Sequence, residues 1–286
     1  MNVLVATDGS KYGKWALEWV ATLPLVQTPT VQVLHVVETG SLRAPLLVQP
    51  VVAGNERFIR EELRRMEERA ASTLAQAKDQ LRRLRLAGRV NSEQGTAAAT
   101  ILDRAPKKNG LVVVGSQGRD ALDRFMLGSV STNVVHHAPC PVLVAKTEAE
   151  PLERVMLAVD GSTSAHKAVD FLIKKIQPEA VRGGKSRPIH VTVIHVMPYL
   201  KYPELREAGA QLVHQQVLKL LKAGYSAEGL SRLGKPADEI IKAASKQRSQ
   251  LIVMGAKGLG AIARFLLGSV STRVVQQARC SVLVVR

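Results

Sequence analysis

The sequence predicts an α/β chain of two tandem Rossmann-like, doubly wound units, each a five-stranded parallel sheet with helices on both faces. Three observations predict it. The length of 286 residues is twice that of a common domain, roughly 150 residues. The second half repeats the first: "NVLVATDGS" from Asn2 aligns with "RVMLAVDGS" from Arg154, and 18 of the last 32 residues of each copy, 115–146 and 255–286, are identical. In both copies, short apolar runs alternate with stretches of helical period, the pattern of β-α-β units.

Taken in order, the first copy offers the strands "NVLVAT", "VQVLHVV", "RVNSEQ", "LVVVGS" and "PVLVAK". The second offers "RVMLAV", "IHVTVIHV", "YSAEGLSR", "LIVMGA" and "SVLVVR". Most are apolar at nearly every residue, which suits a parallel sheet covered on both faces. Between the second and third strands of the first copy, Ile59, Leu63, Met66, Ala70, Leu74, Ala77, Leu81 and Leu84 recur three or four apart. That spacing predicts a long crossover helix whose Arg and Glu residues form a solvated face. Right-handed crossovers complete the expected unit. The segment before this helix, "ETGSLRAPLLVQPVVAGNE", reads as a loop, either a lid over a site or a packed surface loop; the second copy has the shorter "MPYLKYPEL". The polar link "KTEAEPLERV" marks the boundary, giving units 1–147 and 152–286 joined closely enough to dock.

Composition sets limits. Hydrophobic residues at 46% and charged residues at 22% are ordinary globular usage. No run of 18 apolar residues predicts a membrane span, and the start "MNVLVATDGS" reads as a first strand and not as a leader, so a cytoplasmic protein is expected. Cys140 and Cys280 stand at equivalent places just before the last strands and read as reduced core residues. The net charge of +16 is unevenly spread: 19 Lys and Arg against 14 Asp and Glu up to Glu148, then 21 against 10. Such an excess attracts anions. With only 3% aromatics, no basic stripe interleaves with stacking residues, so nucleic-acid binding is the lesser reading.

In a doubly wound sheet, ligands sit beyond the carboxyl ends of the strands where the strand order reverses. Asp8 and Asp160 end the first strands. Gly115 and Gly255 end the fourth and open G-x-x-G turns, completed by Gly118 and Gly258, that let a ligand approach the backbone. Nine residues on, Gly128 and Gly268 precede "SVST" at the start of a helix. A helix N-terminus presents unpaired N–H groups and the positive end of the dipole, which favour phosphate. Ser129, Ser131 and Thr132, with Ser269, Ser271 and Thr272, add hydroxyls there. Simple N-capping is the plain alternative. A cap needs one such residue, however, and neither the Gly before it nor the G-x-x-G turn.

Other readings are weaker. There is no Walker loop, and "GLGAIA" lacks the last glycine of a dinucleotide fingerprint. Asp8 and Asp160 suit a base or metal ligand, or equally a turn. His35 and His195 lie inside apolar strands and read as core, and His136 and His137 become Gln276 and Gln277 in the second copy. No metal-ligand cluster is visible in the sequence.

The spacing G-x-x-G, nine residues, G-[ST] resembles the nucleotide-binding signature of the universal stress proteins, and both copies fit it without a gap. The "DGS" after the first strand and the "CPVLV"-type last strand extend the resemblance over the whole chain. It implies strand order 3-2-1-4-5 in each unit and ATP at the switch point. Adenine and ribose would lie against Thr7, Asp8, Val36 and Val114 in the first unit, and against Val159, Asp160, Val196 and Met254 in the second. The phosphates would lie on Gly115, Gly118, Gly128, Ser129, Val130 and Ser131, and on Gly255, Gly258, Gly268, Ser269, Val270 and Ser271, accompanied by Mg²⁺ held chiefly by phosphate oxygens and water. It also implies that the last strands pair inside the chain, Val142 to Ala145 against Val282 to Val285, about a pseudo-two-fold axis, and is compatible with a further homodimer. Two departures stand out: Gly95-Thr96-Ala97 replaces the G-x-P step kept as Gly234-Lys235-Pro236, and Val159 replaces Thr7. Lys257 adds charge to the second turn. The function expected is an ATP-binding regulatory or stress-response protein. The alternatives are a slow ATPase or nucleotidyl-transfer enzyme using Asp8 or Asp160, and an anion or nucleic-acid binder.

Overall fold

Strands that are apolar at every position need cover on both faces, and the chain supplies it by laying helices on each side of one sheet. The computed structural model describes residues 1–38, 55–118, 127–182, 185–197, 203–258 and 267–286. The candidate lid segments, 39–54 and 198–202, fall outside the described residues.

In the first half the elements are β1 (Asn2–Ala6), α1 (Lys11–Thr22), β2 (Thr30–Glu38), α2 (Asn55–Arg83), β3 (Gly88–Gly95), α3 (Ala97–Arg104), β4 (Gly110–Gly115), α4 (Ser129–His137) and β5 (Val142–Ala145). The second half has β6 (Arg154–Ala158), α5 (Thr163–Lys175), a short hairpin of β7 (Glu179–Arg182) and β8 (Lys185–Pro188), then β9 (His190–Met197), α6 (Pro203–Lys222), β10 (Ser226–Leu233), α7 (Pro236–Lys246), β11 (Leu251–Gly255), α8 (Ser269–Gln277) and β12 (Ser281–Val285). The hairpin forms its own two-stranded sheet; the strand list read from the sequence did not include it.

The sheet order is β10-β9-β6-β11-β12-β5-β4-β1-β2-β3. Within each half this is 3-2-1-4-5, parallel throughout. The halves meet where β5 and β12 run antiparallel, with Leu143 opposite Leu283, Val142 opposite Val284 and Val144 opposite Val282. An apolar edge strand would otherwise be left open. The period of two sends Leu143 and Leu283 into one core with Trp19 of α1, Leu81 of α2, Phe171 of α5 and Leu220 of α6. Val142, Val144, Val282 and Val284 enter the opposite core with Ile101 of α3, Val134 of α4, Ile240 of α7 and Val274 of α8. Each core therefore crosses the seam. Cys140 and Cys280 are free thiols at opposite ends of that seam.

The long helix α2 keeps its charges outside. Arg64–Glu68 and Arg65–Glu61 pair along exposed turns, as does Arg83–Asp79. Ala70, Ala77 and Leu81 are buried beneath them. No helix among the described residues is long and apolar enough to cross a membrane.

Candidate functional site

The order reverses beside β1 and beside β6, and there the chain turns in the same way twice. Asp8 Oδ1 accepts from the Ser10 N–H at 2.9 Å, Gly9 takes φ +80°, and Ser10 caps α1 by accepting from the Gly13 N–H. Asp160, Gly161 at φ +81° and Ser162 repeat the arrangement at α5. One carboxylate oxygen of each Asp thus fixes the turn. The other lies beside the G-x-x-G turn: a Cβ on Gly118 would sit 3.2 Å from Asp8 Oδ2, and one on Gly258 only 2.7 Å from Asp160 Oδ2.

The glycines of the two signatures divide into two kinds. A Cβ on Gly115 would come within 2.6 Å of Tyr12 on α1, and one on Gly255 within 2.6 Å of Ser164 on α5. Their bareness is required by helix packing, whereas the sequence reading assigned it to ligand approach. Gly128 and Gly268 are different, since added Cβ atoms would make only ordinary contacts at 3.5 and 3.4 Å. Both are the N-caps of their helices, α4 and α8, and neither helix has a side-chain cap hydrogen bond. The first bond is Thr132 N–H to Gly128 O, and likewise Thr272 N–H to Gly268 O. The preceding N–H groups, those of residues 129–131 and 269–271, make no bond among the described residues. The Ser131 hydroxyl donates to Gly115 O at 2.6 Å, and that of Ser271 to Ala256 O at 2.8 Å and Gly268 O at 2.9 Å. These two serines therefore tie helix to turn. What each leaves facing outward is its backbone N–H.

Two cavities open at these helix ends, of about 640 and 630 Å³. Such volumes lie within the usual range for small-molecule sites. All ten first-unit residues assigned from the sequence, from Thr7 to Ser131, line the first; all ten second-unit residues, from Val159 to Ser271, line the second. The pockets are thus brought together from strand ends and helix starts separated by more than 100 residues in each half.

The sequence reading missed several neighbours. His35 is half-buried on the first wall, its Nδ1–H donating to Thr7 O at 2.9 Å; His195 donates likewise to Val159 O at 2.8 Å but is not part of the second pocket's lining. Both were read as core. Met66 and Arg69 of α2 also line the first pocket, although Met66 was read as part of the helix's apolar stripe and its Arg and Glu residues as a solvated face. The fourfold spacing of Met66 and Ala70 was the available signal, since Arg69 stands on the border of that apolar stripe. Glu38 explains the missing proline of the first copy. Its Oε1 accepts from the Ala97 N–H at 3.2 Å and so satisfies the start of α3, while Pro236 at the start of α7 has no N–H to satisfy. Thr7 Oγ1 accepts from the Gly9 N–H, an intrachain role that Val159 gives up.

Among the described residues there is no group of three or more His, Cys, Asp or Glu able to hold a metal. Each pocket offers backbone N–H donors, one Asp oxygen as acceptor and an apolar wall, with Arg69 added in the first and Lys257 in the second. It suits an anionic ligand with an apolar ring and hydroxyls.

Two doubly wound halves sharing one sheet, each with a cavity at its switch point, define a tandem α/β protein of the Rossmann-like class. The model of the Universal stress protein family matches residues 1–146 and again 151–286, and the chain belongs to that family. It is 28% identical over 298 residues to a universal stress protein of Mycolicibacterium smegmatis, covering 100% of this chain and 97% of that one. It is 30% identical over 302 residues to Universal stress protein Rv2005c of Mycobacterium tuberculosis, with the same coverage. Among solved structures, a universal stress protein from Archaeoglobus fulgidus superposes with a TM-score of 0.69 at 21% identity, covering 100% of this chain and 96% of that one.

Proposed function

We propose that residues 1–147 and 152–286 each bind one adenine nucleotide, ATP with Mg²⁺, and that occupancy sets the conformation or partner binding of a cytoplasmic stress-response regulator. The observation that carries this reading is the pair of uncapped helix N-termini, those of α4 and α8, opening into matching pockets. Helices α1 and α5 are capped by their own serines, whereas Gly128 and Gly268 leave N–H groups to a ligand. A phosphate satisfies several such donors at once and meets the positive end of the dipole. The second oxygens of Asp8 and Asp160 accept from ribose hydroxyls. Val36 and Val114, with Val196 and Met254, give the base an apolar wall. Mg²⁺ accompanying the phosphates would neutralise part of their charge and would be held chiefly by phosphate oxygens and water, the described residues offering no carboxylate cluster for it.

The test is mass spectrometry of small molecules released from the denatured, freshly purified chain, followed by reloading with Mg·ATP. Release or uptake of two adenine nucleotides per chain is the expected result. A flavin in their place, or no nucleotide after reloading, contradicts the proposal.

A further inference from the structure

The two pockets are close copies, yet among the described residues their cations stand in different places. In the second turn Lys257 lines the pocket, and its carbonyl is held by the Ser162 hydroxyl at 3.1 Å. The equivalent residue of the first turn is Gln117, buried and neutral. The first pocket has its own cation on another wall, Arg69 of α2. Arg69 stands twelve residues before Leu81, and the same place before Leu220 on α6 is Ala208. The alignment is anchored structurally, because Leu81 O accepts from the Leu86 N–H and Leu220 O from the Tyr225 N–H in the same turn. Neither Arg69 nor Lys257 has an ion-pair partner among the described residues, Asp160 beside Lys257 included.

Position decides what each cation meets. Lys257 lies between Gly255 and Gly258, in the turn that the Gly268 N–H closes by bonding to Ala256 O at 2.8 Å. It therefore stands at the mouth of the open α8 N-terminus. Arg69 lies with Met66 on the helix that packs over β2, the strand that supplies Val36 and Glu38 to the same pocket.

We infer that Lys257 makes the second pocket select nucleotides by their number of phosphates, while the first pocket, with Arg69 on the base and ribose side, binds them with much less discrimination. This rests on the nucleotide reading above. A cation at the phosphate mouth gains from each added negative charge, whereas one beside the base meets what ATP, ADP and AMP share.

The test is calorimetry of ATP and AMP binding to the full chain with one pocket closed by an Asp at its first helical position. In Ser129→Asp the second pocket is read, and in Ser269→Asp the first. The ratio of ATP to AMP affinity should be roughly tenfold higher in the second pocket at low salt. Adding Lys257→Gln should remove that excess, and Lys257→Arg should keep most of it. Equal ratios in the two pockets, or a second-pocket ratio unchanged by Lys257→Gln, overturn the inference while leaving nucleotide binding intact. Failure of the wild-type chain to bind any adenine nucleotide overturns the underlying reading, and this inference with it.

Discussion

Lys146 and Arg286 exchange helix caps across the seam. Lys146, just after β5, donates from Nζ to the carbonyls of Gln276 and Ala278 at the end of α8, at 3.1 and 2.7 Å. Arg286, just after β12, donates from Nη2 to Val135 O on α4. Each half thus places a cation on the negative end of the other half's pocket helix, where helix dipoles favour it. The sheet register produces this: in the antiparallel pairing of β5 and β12, Lys146 falls opposite Cys280 and Arg286 opposite Cys140.

Removing either cap should weaken the seam. Lys146→Met and Arg286→Met are each expected to cost about 1 kcal/mol, the value of a charged hydrogen bond to partly buried carbonyls. Because the two sites lie at opposite ends of the seam, the double variant should lose the sum to within about 0.5 kcal/mol. Urea denaturation measures all three. No loss in either single variant would mean that the caps are incidental.

Burial lowers the Lys146 ammonium to about 8 from its ordinary 10.5. Between those values the unfolded chain holds more protons than the folded one, so this residue makes stability rise with pH. Burial also raises the thiols of Cys140 and Cys280 to about 11. From their ordinary 9 upward the unfolded chain loses those protons first, and stability falls. Both chains carry the thiols, so comparison with Lys146→Met over pH 8 to 9 isolates the lysine. Chemical denaturation there should show wild type gaining stability with pH relative to Lys146→Met. A parallel pair of curves contradicts the assignment.

The glycines of the repeated signature should separate by experiment. Gly115→Ala and Gly255→Ala drive a methyl against α1 and α5 and are expected to cost about 1–3 kcal/mol of stability, the range for overpacking. Gly128→Ala adds only ordinary contacts and should leave the unfolding midpoint nearly unchanged. Thermal unfolding of the three variants checks this. A Gly128→Ala chain as destabilised as the other two would show that the packing account of this turn is wrong.

Much of this was legible because the chain states it twice. Two copies of "DGS" and two of the glycine signature located both switch points, and the apolar runs "PVLVAK" and "SVLVVR" pointed to strands needing cover. What escaped depends on contacts between distant elements. Arg69 looks like any solvated helix residue until α2 packs over β2. The role of Gly115 needs the position of Tyr12, more than 100 residues earlier. His35 reads as core because its strand is apolar, yet its ring faces a pocket wall and is tied to Thr7 O. Local sequence carries periodicity and turn chemistry; the wall of a pocket is a tertiary fact.

The central claim is that the N-termini of α4 and α8 hold phosphate. Its most direct test is the stoichiometry of ATP binding, by equilibrium dialysis with Mg²⁺, in wild type, Ser129→Asp, Ser269→Asp and the double variant. Asp at a first helical position suits the dipole and keeps the helix, but its charge repels phosphate. The account predicts two, one, one and no ATP per chain. Two ATP retained by the folded double variant, or none bound by wild type, would contradict it.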